Sequence, residues 1–432
     1  MVHTAGRRGR RPLRRIVNAK HIVLALTVYY ERGTPLKKAA NVLLVILLIL
    51  LTAAVSSVLT LTFLALPDST VDTDPVKVKM DEIGSLLEAY FIDEYDPDTL
   101  TAAAADGAAA AMVEATGDQW SYYISAAEME SYNEQLYNTY VGIGIMIEMT
   151  EEGAKLTSVT EGGPAEAAGL LVDDVITGVE GQNIAQLGID GARELIRGEE
   201  GTTVRLTVRR GPQVFELDVL RAEIISPVAK AELLEGEIGY ITIANFDYHC
   251  ADQTIACIED MLDQGAKALL FDVRFNGGGL KDEMVVVLDY LLPEGELFRS
   301  VDYEGTEEID TSDASCLDIP MAVLINEDSY SAAEFFAAAL QEYDAAEIVG
   351  YPTGGKGNFQ VTMDLSDGSA VSISIGKYFT PSGKSLTDVG VTPDVEVDLE
   401  YEDYADLYYG ELEKEEDEQL QTAIDVLLTK IS

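Results

Sequence analysis

Apolar residues run unbroken in one place and recur with period at many others. Residues 41–66, Asn-Val-Leu-Leu-Val-Ile-Leu-Leu-Ile-Leu onward, form a run of 26 without a charge. A stretch of that length spans the hydrocarbon core of a bilayer with some tilt. It is also longer than the apolar region of a cleaved signal peptide. The earlier apolar segment 22–30 is too short to span. Residues 67–75 read as a short linker. From 76 to 138 the spacing is mostly helical: Met80-Asp-Glu-Ile-Gly-Ser-Leu-Leu-Glu-Ala-Tyr90, then the alanine-rich 101–116, whose propensity predicts a packed helix. Gly117-Asp-Gln-Trp-Ser-Tyr-Tyr-Ile-Ser125 breaks the pattern, and a polar helix follows.

From Tyr140 to about Ile224 the spacing shortens. Val141-Gly-Ile-Gly-Ile-Met-Ile147 predicts a strand opened by glycines, and Leu156-Thr-Ser-Val159 another. Then come Gly162-Gly-Pro-Ala-Glu-Ala-Ala-Gly-Leu170, Asp173-Asp-Val-Ile-Thr-Gly-Val-Glu-Gly181, a helix over 188–197 and the alternating strand Thr203-Val-Arg-Leu-Thr-Val-Arg209. This order resembles the PDZ domains of bacterial proteases. The resemblance implies that a peptide C-terminus lies along an edge strand, its carboxylate held by the backbone N–H groups of Gly142, Ile143 and Gly144.

The last part reads as α/β. Ile238-Gly-Tyr-Ile-Thr-Ile243 is a strand, 252–263 a helix, and Ala266-Lys-Ala-Leu-Leu-Phe-Asp272 a second strand. The glycine turn Val273-Arg-Phe-Asn-Gly-Gly-Gly-Leu280 leads into a helix over 282–292. The same strand–turn–helix order recurs in Met321-Ala-Val-Leu-Ile-Asn326, Glu327-Asp-Ser-Tyr-Ser331 and Ala332-Ala-Glu-Phe-Phe-Ala-Ala-Ala-Leu340. Glycine turns and helix N-termini present bare N–H groups that favour negative charge. Ser331 falls at such a terminus. Ser331-Ala-Ala-Glu334 fits a capping box, so from this window Ser331 is either a cap or a nucleophile. Lys356, in Gly354-Gly-Lys-Gly-Asn-Phe-Gln360, is either a surface lysine in a turn or a base. Gly350-Tyr-Pro-Thr-Gly-Gly-Lys356 matches seven positions of a phosphate-binding loop. Gly357, however, stands where Ser or Thr must ligate magnesium, which excludes a nucleotide site.

Charge narrows the partners. Of 29 basic and 76 acidic residues, ten and one fall within 1–38, leaving 19 and 75 beyond, a balance of −56. That surface excludes nucleic acid as a partner and keeps an exposed domain soluble. The basic residues precede the apolar run, with Lys37 and Lys38 abutting it, so the N-terminus is expected in the cytoplasm and everything after about Pro67 outside. Histidine occurs only at positions 3, 21 and 249, which excludes a His-rich metal site and points any serine hydrolase toward a base other than histidine. Cys250, Cys257 and Cys316 have no metal spacing and make no disulfide framework, though a single bridge stays open.

Taken together, residues 77–431 resemble the carboxyl-terminal processing proteases, tail-specific serine peptidases of the Ser-Lys type. Gly117–Ser125, as spelled above, is similar to the family's stretch before its PDZ domain, and Asp272-Val-Arg-Phe-Asn-Gly-Gly-Gly-Leu280 to its Arg-x-Asn-Pro-Gly-Gly-Leu turn. Asn326-Glu-Asp-Ser-Tyr-Ser-Ala-Ala-Glu334 resembles its nucleophile turn, and Gly354-Gly-Lys-Gly-Asn-Phe-Gln360 its Phe-Gly-Lys-Gly-x-x-Gln. Asp367-Gly-Ser369, Tyr378-Phe-Thr-Pro-Ser-Gly383 and Gly390-Val-Thr-Pro-Asp394 continue the match. The resemblance implies Ser331 as nucleophile, Lys356 as general base, Gln360 as the residue orienting it, and the backbone N–H groups of Gly278 and Ala332 as oxyanion hole. Gly277 departs from the family's proline, and Tyr330 and Ala333 from its small residues and serine, which leaves Ser329 a secondary candidate.

The implied fold is an α/β (α+β) protease core of the ClpP/crotonase-like kind with an inserted PDZ β domain and one N-terminal transmembrane helix. The expected organisation is a basic cytoplasmic segment 1–40, anchor 41–66, linker 67–75, helical part 76–138, PDZ domain 139–224 and protease core 225–432. The implied function is a membrane-anchored extracytoplasmic endopeptidase that cuts proteins near free C-termini, without metal or other cofactor. Homo-oligomerisation is left open. A protease dedicated to one signalling substrate is a narrower form of this reading. The alternative is a membrane-tethered PDZ adaptor on an inactive scaffold. Against so acidic a background, acidic substrate tails are expected to be disfavoured.

Overall fold

A computed structural model describes residues 74–431, which fall into two units, 74–96 and 97–431. The first holds the helix Pro75–Tyr90. Asp74 starts it by accepting the Val76 N–H, and Pro75 sits at a helix start, where its missing N–H leaves nothing unpaired. The basic segment, the anchor and nearly all of the linker expected from the sequence lie outside the described residues. Among the described residues, no helix is long and apolar enough to cross a membrane.

The second unit is built on a six-stranded sheet in the order Ala229–Leu234, Ile238–Ile243, Ala268–Asp272, Met321–Ile325, Ala346–Gly350, Val395–Glu396. The first pair is antiparallel and the rest parallel. Its central strands are continuous apolar runs because both faces are covered. Every residue of Ala268–Asp272 and Met321–Ile325 is buried. Alternate side chains serve opposite faces. Leu269, Phe271 and Val323 join Phe336, Met284 and Leu288 in one core. Leu270, Ala322 and Leu324 meet Leu420, Ala423 and Leu427 of the helix Glu418–Ile431 in the other.

This topology creates the site. Ala268–Asp272 and Met321–Ile325 are parallel neighbours, with Asp272 opposite Leu324. The two turns that follow them therefore emerge side by side at the carboxyl edge of the sheet, where open α/β sheets carry their ligands. A five-stranded antiparallel sheet lies beside this core. In it Ala370–Phe379 pairs with Asn358–Asp364, which carries Gln360, and with Tyr122–Ile124, which lies in the break at 117–125.

Residues 145–220 form a separate sheet in the order Ile145–Thr150, Gly153–Val159, Val175–Val179, Thr203–Arg210, Gln213–Leu220, around its own core of Leu156, Ile176, Leu206 and Val208. Thr139–Gly142 pairs with Ala222–Ile225, so both ends of this segment leave together. The strand expected over 141–147 is broken at Ile143 and Gly144, because Gly144 takes φ +75° and leaves the strand conformation. The alanine-rich helix forms as Pro97–Glu114 but buries none of its residues fully, contrary to the packed helix expected. Alanine supplies helix propensity with little apolar area to bury. Cys250, Cys257 and Cys316 are all free thiols.

Candidate active site

Ser331 stands at the start of the helix Ala332–Glu342 with φ 54° and ψ −121°. A positive φ is strained for a residue with a Cβ and persists only where its surroundings over-determine it. Here they do. The Tyr330 N–H donates to the Asn276 carbonyl at 2.9 Å, and the Ser331 N–H to Glu334 Oε2 at 2.8 Å. Ser329 is fully buried and its hydroxyl donates to the Val273 carbonyl at 2.8 Å, which ties the two turns together and makes it a structural residue.

Glu334 is the hub. It is 0% exposed, and its carboxylate accepts four hydrogen bonds. Oε1 accepts from Thr353 Oγ1 at 2.6 Å and the Gly355 N–H at 2.7 Å. Oε2 accepts from the Ser331 N–H at 2.8 Å and the Lys356 N–H at 2.9 Å. One oxygen atom thus holds the backbone of both Ser331 and Lys356. The sequence posed capping and chemistry as alternatives; here the carboxylate that secures the helix start also fixes the lysine loop. Burial pushes the Glu334 carboxyl above the usual range, and its four donors pull the other way.

Lys356 is half-buried, with Nζ 4.9 Å from the centroid of the Trp120 ring. Its Nζ makes no ion pair and no hydrogen bond among the described residues. Burial lowers its pKa below the ordinary lysine value, partly offset by the charges of Glu334 and Asp118. A lysine in that setting is readied for a base's role. Gln360 is not bonded to it. Its Nε2 donates to Ser374 Oγ at 2.9 Å and to the Asn358 carbonyl at 3.2 Å. Ser374 leads on through its N–H to Ser121 Oγ, and Ser121 to Asp118.

Gly278 lies directly against the serine. With φ +96°, a Cβ placed there would fall 2.7 Å from Ser331 Cβ and 3.0 Å from the Ala332 nitrogen, so only glycine fits. Its N–H donates to Asn276 Oδ1 at 2.9 Å, while the Ala332 N–H has no acceptor among the described residues. Of the two N–H groups expected to face an anion, one is free and the other is occupied by Asn276. Around this turn, Arg274 is buried against Asp272 and Asp417, with Tyr240 donating to Asp272 at 2.6 Å. A buried charge of this kind is tolerable only when fully paired. It ties the glycine turn to the C-terminal part of the chain.

The second candidate region is the groove between Ile145–Thr150 and the helix Gly188–Ile196, about 270 Å³ in volume. The N–H groups of Ile143 and Gly144 make no hydrogen bond among the described residues, although both residues are buried. Buried donors are rarely left without partners, and this pair opens toward the groove's lining.

Comparison with known proteins follows the same division. The profile of peptidase family S41 matches residues 237–397, and that of a PDZ domain residues 155–210. The carboxy-terminal processing protease CtpA of Bacillus subtilis (strain 168) is 30% identical over 376 residues, covering 85% of this chain and 79% of that protein. The chain belongs to peptidase family S41. A probable CtpA-like serine protease of Staphylococcus aureus (strain N315) is 33% identical over 325 residues, 74% of this chain; the chain spans 64% of that relative's length. Among solved structures, a photosystem II D1 C-terminal processing protease is 26% identical, covering 74% of this chain and 86% of its own, with a TM-score of 0.42.

The S41 match contains Gly278, Ser331, Lys356 and Gln360, but several residues that shape the site lie outside it. Trp120 covers Lys356 and packs edge-on to Tyr330 at 5.5 Å. Tyr404 reaches both turns: its hydroxyl donates to Asp328 at 2.5 Å, and its ring meets Phe275, itself at φ 60°, at 5.1 Å. In the sequence the stretch around Trp120 marks a break between helices and carries part of the family resemblance, and nothing in its spacing links it to Lys356. Tyr404 and Asp417 carried no local signal at all.

Proposed function

We propose that this chain is a serine endopeptidase that cleaves proteins near their C-termini, with Ser331 as nucleophile and Lys356 as base. The observation that carries the reading is the shared Glu334 oxygen, which holds the Ser331 and Lys356 backbones together, with a lysine whose Nζ has no ion pair or hydrogen bond among the described residues and whose pKa burial lowers. Serine attacks only when a neighbouring base takes its proton. Neutral Lys356 accepts the Ser331 hydroxyl proton as Oγ adds to the peptide carbonyl, then returns it to the departing amine. Water repeats the sequence on the acyl-enzyme. The Ala332 N–H meets the oxyanion, joined by Gly278 once its N–H leaves Asn276. Gln360 supports the serine chain that ends on Asp118, beside Lys356.

The test is cleavage of an unfolded protein by the full-length chain in detergent, with product masses located near the C-terminus and kcat/KM followed against pH. A lowered lysine pKa means the free base is already favoured below the ordinary lysine range. The rate should therefore rise with pH and level off at a midpoint below that of a free lysine. A rate that falls as pH rises through this range excludes Lys356 as base, and no cleavage at all excludes the reading.

We further propose that residues 41–66 anchor the protein, with the peptidase outside the cytoplasm. Supporting it are the uncharged run and the basic residues that precede it. A protease added to intact cells should degrade the part after residue 67. Protection of that part until the membrane is opened would reverse the orientation.

A further inference from the structure

We propose that the groove beside Ile145–Thr150 selects substrate tails bearing Asp or Glu at the antepenultimate position, read by Arg193. This rests on the reading that the groove takes a protein C-terminus. Ile145–Thr150 is an edge strand, paired on one side with Gly153–Val159 and open on the other. A tail added there extends the sheet, with its carboxylate at the unpaired N–H groups of Ile143 and Gly144. The neighbouring helix has a defined direction. Arg197, just past its end, lies over the Tyr140 ring at 4.9 Å, so Ile196 is at the carboxylate end and Ile189 at the far end.

Spacing then assigns the levels. Arg193 is three residues from Ile196, about 4.5 Å along the helix axis. In an added strand, side chains facing the helix recur about every 6.6 Å. The last residue meets Ile143 and Ile196, which are apolar and buried. The next one facing the helix, two residues back, falls about 2 Å beyond the level of the Arg193 backbone, a gap that the long side chain, tilted toward the helix N-terminus, spans. That guanidinium is available. Its partner Asp190 is 84% exposed at 3.1 Å, an i,i+3 surface pair of small worth.

Charge complementarity names the ligand. Residues lining the groove include Arg193 and Arg197 and no acid, in a chain where acids outnumber bases 75 to 19 beyond residue 38. Arg197 is engaged by Glu134 at 3.0 Å, which leaves Arg193, with only its exposed Asp190 partner, as the reader. The expectation that acidic tails are disfavoured came from the whole-chain balance. Fields from distant exposed carboxylates fade over about 8–10 Å at ordinary salt, so the local arginines decide.

Peptides ending in an apolar residue with a free carboxylate, and differing only in Asp, Ser or Lys at the antepenultimate position, test this on the full-length chain in detergent carrying Ser331→Ala. Fluorescence anisotropy should show the Asp peptide binding about five- to tenfold tighter than the Ser peptide and the Lys peptide weakest, with the spread shrinking in high salt. Arg193→Glu should invert the order and Arg193→Gln flatten it, at an unchanged melting temperature. Equal affinities for the three peptides, or an order that Arg193→Glu leaves intact, overturn the role of Arg193 while tail binding stands. Amidated peptides binding as tightly as free acids, or no binding of any peptide, overturn both.

Discussion

Ser331→Ala and Lys356→Ala should each lower kcat/KM by at least about a thousandfold, and the double variant should fall no further, because members of one catalytic unit are grossly non-additive. Alanine at 331 removes the attacking oxygen and leaves the backbone bond to Glu334 intact. Alanine at 356 removes the amine proposed as base, while the main-chain bond from residue 356 to Glu334 remains. Folding should therefore survive in both, and melting curves alongside the rates check it. An active-site serine reagent should label Lys356→Ala far more slowly than the parent and Ser331→Ala not at all. Substantial turnover by Lys356→Ala would transfer the base's role elsewhere and break the dyad. Equal losses in the two singles, unchanged in the double, are what a single proton relay requires.

Glu334→Gln should be the most damaging change that adds and removes no bulk. The carboxylate accepts four hydrogen bonds with no exposure to water. Glutamine keeps one acceptor oxygen and turns an NH₂ group toward donors that need an acceptor. At least two backbone N–H groups, or one N–H and the Thr353 hydroxyl, then lose their partner in a site closed to solvent. Leaving buried donors unsatisfied costs about 1–3 kcal/mol each, so a loss of about 2–4 kcal/mol is expected in chemical denaturation. Activity should fall more than tenfold even where the chain is fully folded, because the carboxylate that carries Lys356 also carries Ser331. Unchanged stability and rate would show that Glu334 only caps the helix. Loss of stability with kcat intact would show that it braces the fold without placing the dyad.

Much of the site's framework could be read along the chain, for local reasons. Apolar runs at 268–271 and 321–325 announce buried parallel strands, since a sheet covered on both sides takes polar residues only where they are paired, as Asp272 is. A serine after a polar turn and before an alanine-rich run marks a helix start whatever the fold. The positions of Ser331, Lys356 and the glycine turn were legible because each is encoded within a few residues. Turn geometry was less so. The run 141–147 alternates like one strand, yet its backbone turns at Gly144, which takes φ +75° and has Thr160 where a Cβ would be.

What tertiary structure alone decided is how those pieces act on one another. Residues far apart in sequence meet because strands ending at Asp272 and Ile325 are parallel neighbours, and only that places Gly278 against Ser331. Glu334 reads locally as a cap; its second duty exists because the loop 353–356 folds back over the helix start. Trp120 faces Lys356 only because the strand Tyr122–Ile124 pairs with Ala370–Phe379 in the sheet that also carries Gln360. Charge shows the same division. Sequence determines the sum over the chain, but a ligand meets only the few charges within a screening length. On the proposed reading, Arg193 and Arg197 lining the groove meet a ligand's charge more directly than distant exposed carboxylates do. Sequence by itself thus determined where most strands, turns and helices fall, and marked Ser331, Lys356 and the glycine turn as candidates for chemistry, because propensity and burial pattern are local. Distances between those residues, and the pKa of a lysine among them, depend on contacts that only the folded chain creates.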